Sequence, residues 1–346
     1  MRGLGRIKRL FGRYKSKFVD SALILVYHRV AELPSDPQLL AVTPRHFAEH
    51  LDVLCSKTRP IGLQQLTRNL KEGNVPNRVV VITFDDGYAD NLVNVKPILE
   101  RYNVPATVFI SSAQAGGEHE FWWDRLERIL LQPGLRPATL QLKINGKMDE
   151  WELGAGVEYG RQEYLENQSW NVMDKTDPSV RHAIYRSLHK SLRTLSSTEQ
   201  EWILDELAAW AGIRTGVDED HLSLKLEQIN ALIEGGLIDV GAHTITHPSL
   251  ASLPYNAQEA EIGGSKTELE KIIGKPVLSF AYPYGARIDY SNETVDLVQQ
   301  AGFTCACTNI PGIVWRSCDP FQVPRILIQD CDREIFERQL GSWWSG

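Results

Sequence analysis

Three features of the sequence predict an α/β fold built on a parallel sheet, arranged as a barrel or as layers. Short apolar runs rich in β-branched residues recur at 21–30, 79–84, 106–110, 237–241 and 277–281, as expected of strands buried on both faces. Stretches with apolar residues at helical spacing separate most of them, and such alternation favours parallel pairing through crossover helices. The apolar runs end abruptly in polar or glycine-rich residues, and barrels of this class place their sites at such strand ends.

Composition fits one domain with an elaboration and two domains equally well. A chain of 346 residues with 42% hydrophobic content can bury a large core, and a net charge of −7 argues against a general nucleic-acid binder. Five cysteines at scattered spacings do not suggest a disulfide framework and fit a reducing compartment. Cys305 and Cys307 alternate on a predicted strand, where small core residues explain them better than metal ligation.

The first segment departs from this acidity. Arg2, Arg6, Lys8, Arg9, Arg13, Lys15 and Lys17 precede any acidic residue, with Leu4, Ile7, Phe11, Tyr14 and Phe18 at helical spacing among them. A basic amphipathic helix over 1–20 follows, either lying on anionic lipid or packing on its own domain. No continuous apolar stretch reaches the length of a signal peptide or membrane span, so the expected location is cytoplasmic, with peripheral contact at the inner membrane face.

The run at 21–30 carries Tyr27-His28-Arg29 at its end. Residues 43–72 read as two helices, Thr43-Pro44 supplying an N-cap and a proline at the first helical position. Strand 79–84 delivers Asp85-Asp86-Gly87, two adjacent carboxylates that repel unless a cation, a donor or water offsets them. A helix through Leu99 and the strand at 106–110 come next.

From about 118 to 224 the strand–helix rhythm stops, which marks a large, mainly helical insertion. It opens with Trp122-Trp123-Asp124, and Gln141 to Lys147 reads as a hairpin turning on Asn-Gly. Trp123 and Asp124 are the insertion's candidates for touching a substrate, tryptophan because its ring offers a large apolar face with a polar edge.

Beyond the insertion, an apolar run ends at Gly241 and two histidines follow at His243 and His247. A single helical turn over 243–247 would put both imidazoles on one face, and Pro248 would stop it. Two histidines and one carboxylate form a known catalytic zinc arrangement. A long helix at 256–273 ends at Gly274, and the strand at 277–281 delivers Tyr282-Pro283-Tyr284-Gly285 to the same rim. Short strands near Cys305 and 325–328, then a helix ending at Trp343-Trp344, close the chain.

Thr83-Phe-Asp-Asp-Gly87, His243-Thr-Ile-Thr-His247 and Phe280-Ala-Tyr-Pro-Tyr-Gly285 occur in the order of the three motifs of the polysaccharide deacetylases with a NodB-like domain, carbohydrate esterase family 4, which the chain therefore resembles. The resemblance covers most of 22–328 outside the insertion and implies a distorted, incomplete (β/α) barrel of about seven parallel strands. It further implies a divalent metal, most readily Zn2+ with Co2+ or Ni2+ as substitutes, on Asp86, His243 and His247. Asp85 would be the general base, and the Tyr284 N–H an oxyanion donor. The usual order of this family places an acid histidine near the end of the domain, yet no histidine follows His247. Similarity to a permuted branch with an N-terminal Tyr-His strand assigns that role to His28. The arginine that usually opens the third motif is replaced by Ala281, so Arg29 or Arg325 would have to pair with Asp85, Arg325 being the candidate; Tyr282 and Arg325 join the residues expected near the substrate.

The implied activity is removal of N-acetyl groups from amino sugars of a cell-envelope polysaccharide or its lipid-linked precursor. The same site would serve an O-acetyl esterase or a cyclic amidase, and a barrel without catalysis would bind carbohydrate. Intact Asp85, Asp86, His243 and His247 count against the last.

Overall fold

The computed structural model describes residues 21–116, 120–213 and 221–344, and the basic segment at 1–20 lies outside them. Seven strands form the principal sheet: β1 (Ser21–Tyr27), β2 (Val79–Phe84), β3 (Ala106–Ile110), β4 (Ile238–Ala242), β5 (Ser279–Ala281), β6 (Cys305–Cys307) and β7 (Ile326–Leu327). They pair in parallel in the order β6-β5-β4-β3-β2-β1-β7. Just before β7, Val323 bridges Cys307 in parallel, which brings the last segment back against β6. The sheet therefore curls into the expected distorted, incomplete (β/α) barrel. Arg59–Pro60 adds a short parallel edge beside β2, and Val314–Trp315 lies antiparallel on β1.

Every residue of β1, β2 and β3 is buried, as their unbroken apolar runs require. Helices α1 (Pro44–Lys57), α2 (Leu63–Lys71) and α3 (Lys96–Tyr102) cover the outer face. The Thr43 hydroxyl accepts from the His46 N–H at 3.2 Å, which caps α1. The helix expected after the aspartates opens as a π turn at Asn91–Val95 before α3 begins.

The insertion holds α4 (Trp122–Leu130), a hairpin of Thr139–Ile144 and Lys147–Glu152, α5 (Arg161–Asn167), α6 (Val180–Leu192) and α7 (Ser197–Ala211). Asn145 and Gly146 turn the hairpin with φ of 52° and 77°. A core of its own joins Leu126, Leu130, Tyr185, Leu188 and Leu204, separate from the barrel's main apolar cluster. The chain returns through α8 (Leu226–Ile233), α9 (Tyr255–Ile273), α10 (Asn292–Gln300) and α11 (Arg333–Trp343). Gly274, at φ 67°, ends α9. Cys305 and Cys307 are buried in the core and unpaired. Among the described residues no helix is long and apolar enough to cross a membrane.

Candidate active site

Where β2 ends, the backbone reverses its hand: Asp86 has φ 73° and Gly87 φ 77°. A non-glycine residue in this region is uncommon, and such strain gathers at functional positions. At Gly87 a side chain would also meet Ile110, whose nearest atom would lie 3.1 Å from a Cβ. The reversal sends the two neighbouring carboxylates to different partners, which relieves the repulsion expected between them.

Asp86 faces the histidines. Its Oδ1 lies 3.5 Å from His243 Nε2 and 3.3 Å from His247 Nε2 and makes no hydrogen bond, although Asp86 is buried. The three ligand atoms lie within 4.8 Å of one another. The backbone carrying them is a loop, not the helical turn that the spacing suggested. Thr244 and His247 take φ of 65° and 60°, and the Thr244 hydroxyl accepts from the His247 N–H at 3.0 Å. Two left-handed residues and Pro248 rule out continuous helix, yet they swing both rings to one side. His243 Nδ1 donates to the Ala281 carbonyl at 2.8 Å, so Nε2 keeps its lone pair toward Asp86. Burial opposes ionisation of Asp86, but the electrostatic influence of the two imidazoles holds its carboxyl well below the usual range. An orphaned buried carboxylate oxygen with two imidazole nitrogens is a donor set that suits a divalent metal.

Asp85 faces Arg325. The guanidinium donates to both carboxylate oxygens, at 2.7 and 2.6 Å, and also to the Thr308 carbonyl, Thr83 Oγ1 and Asn309 Oδ1. Both residues are buried, so this two-point pair is shielded from water. Burial raises the Asp85 carboxyl, while Arg325 and then His243 overcome that and hold it below its ordinary value. Arg29 pairs instead with Asp90 at 2.9 Å. Of the two arginines open from sequence, the structure sets Arg325 on Asp85, at a place left unfilled by Ala281.

A cavity of about 160 Å3 brings together His28, Asp85, Asp86, His243, His247 and Tyr284. His28 sits between β1 and the short strand Arg29–Val30, and its Nδ1 is shielded without a hydrogen bond. Tyr284, at φ 58°, packs its ring edge-on to His247 with centroids 4.8 Å apart. Gly285 follows because any Cβ there would come within 2.5 Å of the Asn309 nitrogen.

The residues expected near a substrate divide. Trp123 lines the cavity and packs against His247 at 5.1 Å. Asp124 does not line it: its carboxylate accepts from the Tyr88 hydroxyl at 2.8 Å, deep in the insertion's seam. Tyr282 points away, donating to the Phe321 carbonyl at 2.9 Å and stacking on Tyr290. Both lie beyond β5, which ends at Ala281, and the left-handed conformation of Tyr284 breaks the extended alternation that would have set residues two apart on one face. Arg325 lies beneath Asp85 and is wholly buried, out of a substrate's reach. Sequence reasoning missed Gln38, Leu40, His189, Arg193 and Asn309, which complete the wall. Nothing local marks them; His189 lies in α6 of the insertion and Arg193 is the C-cap of that helix.

Arg193 donates to both oxygens of Asp289 at 2.8 Å and lies 4.3 Å over the Tyr284 ring. Behind Tyr88, Asp124, Glu127 and His221 form a second convergence of ligand atoms within 4.8 Å. Burial there pushes the Asp124 and Glu127 carboxyls each up to about 8.

Residues 72–134 and 208–306 match the polysaccharide deacetylase family model, the gap falling within the insertion. The poly-beta-1,6-N-acetyl-D-glucosamine N-deacetylase of Staphylococcus aureus is 27% identical over 190 residues, 51% of this chain and 60% of that protein. YxkH of Bacillus subtilis is 30% identical over 112 residues, 31% of this chain and 37% of its own length. The chain thus spans less than two thirds of these curated relatives. In fold it is similar to the Streptococcus pyogenes deacetylase PplD, solved in complex with acetate, with a TM-score of 0.57, 16% identity and 94% and 98% of the two chains covered. IcaB from Ammonifex degensii aligns with a TM-score of 0.56, 19% identity and 94% and 98% coverage.

Proposed function

We propose that this chain, whose residues 72–134 and 208–306 match the polysaccharide deacetylase family model, is a metal-dependent hydrolase that removes N-acetyl groups from amino sugars. Its substrate is a cell-envelope polysaccharide or a lipid-linked precursor of one. The observation that carries this reading is the division of labour between Asp85 and Asp86: one carboxylate is paired with an arginine, the other faces two imidazoles, and both line one cavity with His28.

An amide is a poor electrophile, so its hydrolysis needs a polarised carbonyl, an activated water and a proton for the departing amine. Asp86, His243 and His247 would hold a divalent ion, which supplies carbonyl polarisation and a more acidic water. Asp85 takes the proton of the attacking water, and Arg325 keeps that carboxyl ionised and aimed. The Tyr284 N–H donates to the oxygen that gains charge as the carbonyl becomes tetrahedral. His28 gives its proton to the sugar nitrogen as the carbon–nitrogen bond breaks. The products are acetate and a free amino sugar. The insertion's Trp123, His189 and Arg193 orient the ring that bears the acetamido group. The basic stretch at 1–20 would hold the protein against an anionic membrane carrying a lipid-linked substrate.

Acetate release from N-acetylglucosamine oligomers and from a lipid-linked N-acetyl sugar tests this, with zinc content measured for the wild type, Asp85→Asn and His28→Ala. The expected outcome is turnover by the wild type and a loss of about 10²–10⁴-fold in each variant, with zinc retained. A wild type that holds zinc yet releases acetate only from O-acetyl esters would replace the amide by an ester. A chain that takes up no divalent metal would remove the catalytic reading.

A further inference from the structure

Within the loop bearing His243 and His247 the Thr244 hydroxyl alone makes hydrogen bonds, accepting from the His247 N–H and donating to the His243 carbonyl. Its backbone is instead held from both sides. The Ser112 and Ala113 N–H groups, just past β3, donate to the carbonyls of Thr244 and Ile245 at 3.1 and 2.9 Å. From the opposite side a single carboxylate on α9 takes the remaining donors. Glu261 Oε2 accepts from the N–H groups of Ile245 and Thr246 at 2.8 and 2.9 Å, and Oε1 accepts from the Thr246 hydroxyl at 2.7 Å. Three residues along on the same face, Gly264 leaves the space that Ile245 fills: a Cβ there would lie 2.6 Å from Ile245 Cδ1 and 3.5 Å from its Cγ1.

We infer that Glu261 and Gly264 form a cradle on α9 that positions the metal-binding histidines, Glu261 gripping the loop's backbone and Gly264 seating its one apolar side chain. The inference rests on the reading of Asp86, His243 and His247 as metal ligands. Its physical basis is the strain at Thr244 and His247, both left-handed without being glycine. A loop of that kind keeps its shape only when its surroundings over-determine it. Glu261 supplies three bonds to two consecutive residues between the histidines, which fixes the path between the rings. Partners that orient a ligand without touching the metal typically change its affinity by about 10–100-fold.

Zinc affinity of the full chain, measured by competition with a chelating dye, tests the cradle alongside the thermal midpoint of the metal-free protein. Glu261→Ala is expected to weaken zinc by about 10–100-fold with all three ligands intact. Glu261→Gln, which keeps an acceptor for only part of the set, falls between it and the wild type. Gly264→Leu separates positioning from mere stability, because leucine favours helix over glycine. Its metal-free midpoint should hold or rise while zinc binding weakens by about 10-fold. Adding Ile245→Ala, which empties the space that the leucine needs, should restore affinity to within about 3-fold of wild type. If Glu261→Ala proves too unstable to assay, the Gly264 pair decides. Wild-type zinc affinity in both Glu261→Ala and Gly264→Leu overturns the cradle while leaving the ligands standing. A wild type that takes up no zinc overturns the ligand assignment, and the cradle with it.

Discussion

Along the barrel rim, polar groups are aimed by the backbone; across the insertion, they are aimed by contacts made over a seam. Asp86, Thr244, His247 and Tyr284 all occupy left-handed conformations at or beyond strand ends, and each sends its side chain where an extended chain would not. The insertion has regular helices and a separate apolar core, and it reaches the cavity through a few polar latches. Gln38 donates to the Tyr185 hydroxyl at 2.6 Å, Trp122 donates to the Tyr284 hydroxyl at 3.2 Å, and Arg193 grips Asp289. Rim geometry is therefore hard to alter without losing the fold. The wall supplied by the insertion can vary in sequence while the groups beneath it are kept, which is how one fold can serve different ligands.

Arg325 offers the sharpest way to break this contrast, because it serves both the rim's stability and its chemistry. Replacing it with methionine leaves Asp85 buried without its partner and should cost about 3–5 kcal/mol in denaturant unfolding. Asp85 must be ionised to accept a proton, and Arg325 holds its carboxyl below the ordinary value. Removing the guanidinium lets burial raise that carboxyl, so the acidic limb of the kcat/KM profile should move to higher pH. Arg325→Lys, which keeps the charge without the two-point geometry, should move the limb less than methionine does. An unmoved limb in both variants would separate Arg325 from the base.

Arg193→Ala acts on the insertion's side of the contrast and should be milder. It unlatches the C-terminal end of α6 from Asp289 without touching the residues proposed to hold a metal or move protons. KM for an N-acetyl saccharide should rise by about 10-fold while kcat changes little, the pattern of lost uniform binding. A fall in kcat with KM unchanged would move Arg193 from the wall into the chemistry.

The smallest effect is expected at Glu127, in the seam itself. Burial pushes this carboxyl up to about 8 from an ordinary value of 4.5. Between those pH values the folded chain holds a proton that the unfolded chain has released, so stability falls as pH rises across that window and levels off above it. Glu127→Gln carries no titrating group, and its unfolding free energy should decline by about 1–2 kcal/mol less than wild type between about pH 6.5 and 8. Parallel curves for the two proteins would show that the seam does not hold that proton.

What could be read without coordinates follows from local chemistry. Apolar runs of five or six residues give strands buried on both faces, while Thr43-Pro44, Asn145-Gly146 and Gly274 mark a helix cap, a hairpin turn and a helix stop through backbone preferences that need no tertiary context. Asp85, Asp86, His243 and His247 were legible as candidates because a strand end followed by these residue types is itself the signal. The 243–247 conformation was not legible, since histidines four apart suit a helix face equally well; Glu261, Ser112 and Ala113, remote in sequence, select the loop. For the same reason Asp124 and Tyr282 could be placed near the cavity by proximity in sequence but not aimed into it.

Sequence alone determined the class of fold and the residue types that could carry the chemistry, because strand patterning and motif spacing are properties of short segments. Only the tertiary structure decided which arginine meets Asp85, which residues wall the cavity and how the histidine loop is held. Arg325 stands 240 residues from Asp85. No local preference reports on a pair so far apart, and it forms only because the segment leading into β7 folds back beside β6 at the open end of the barrel.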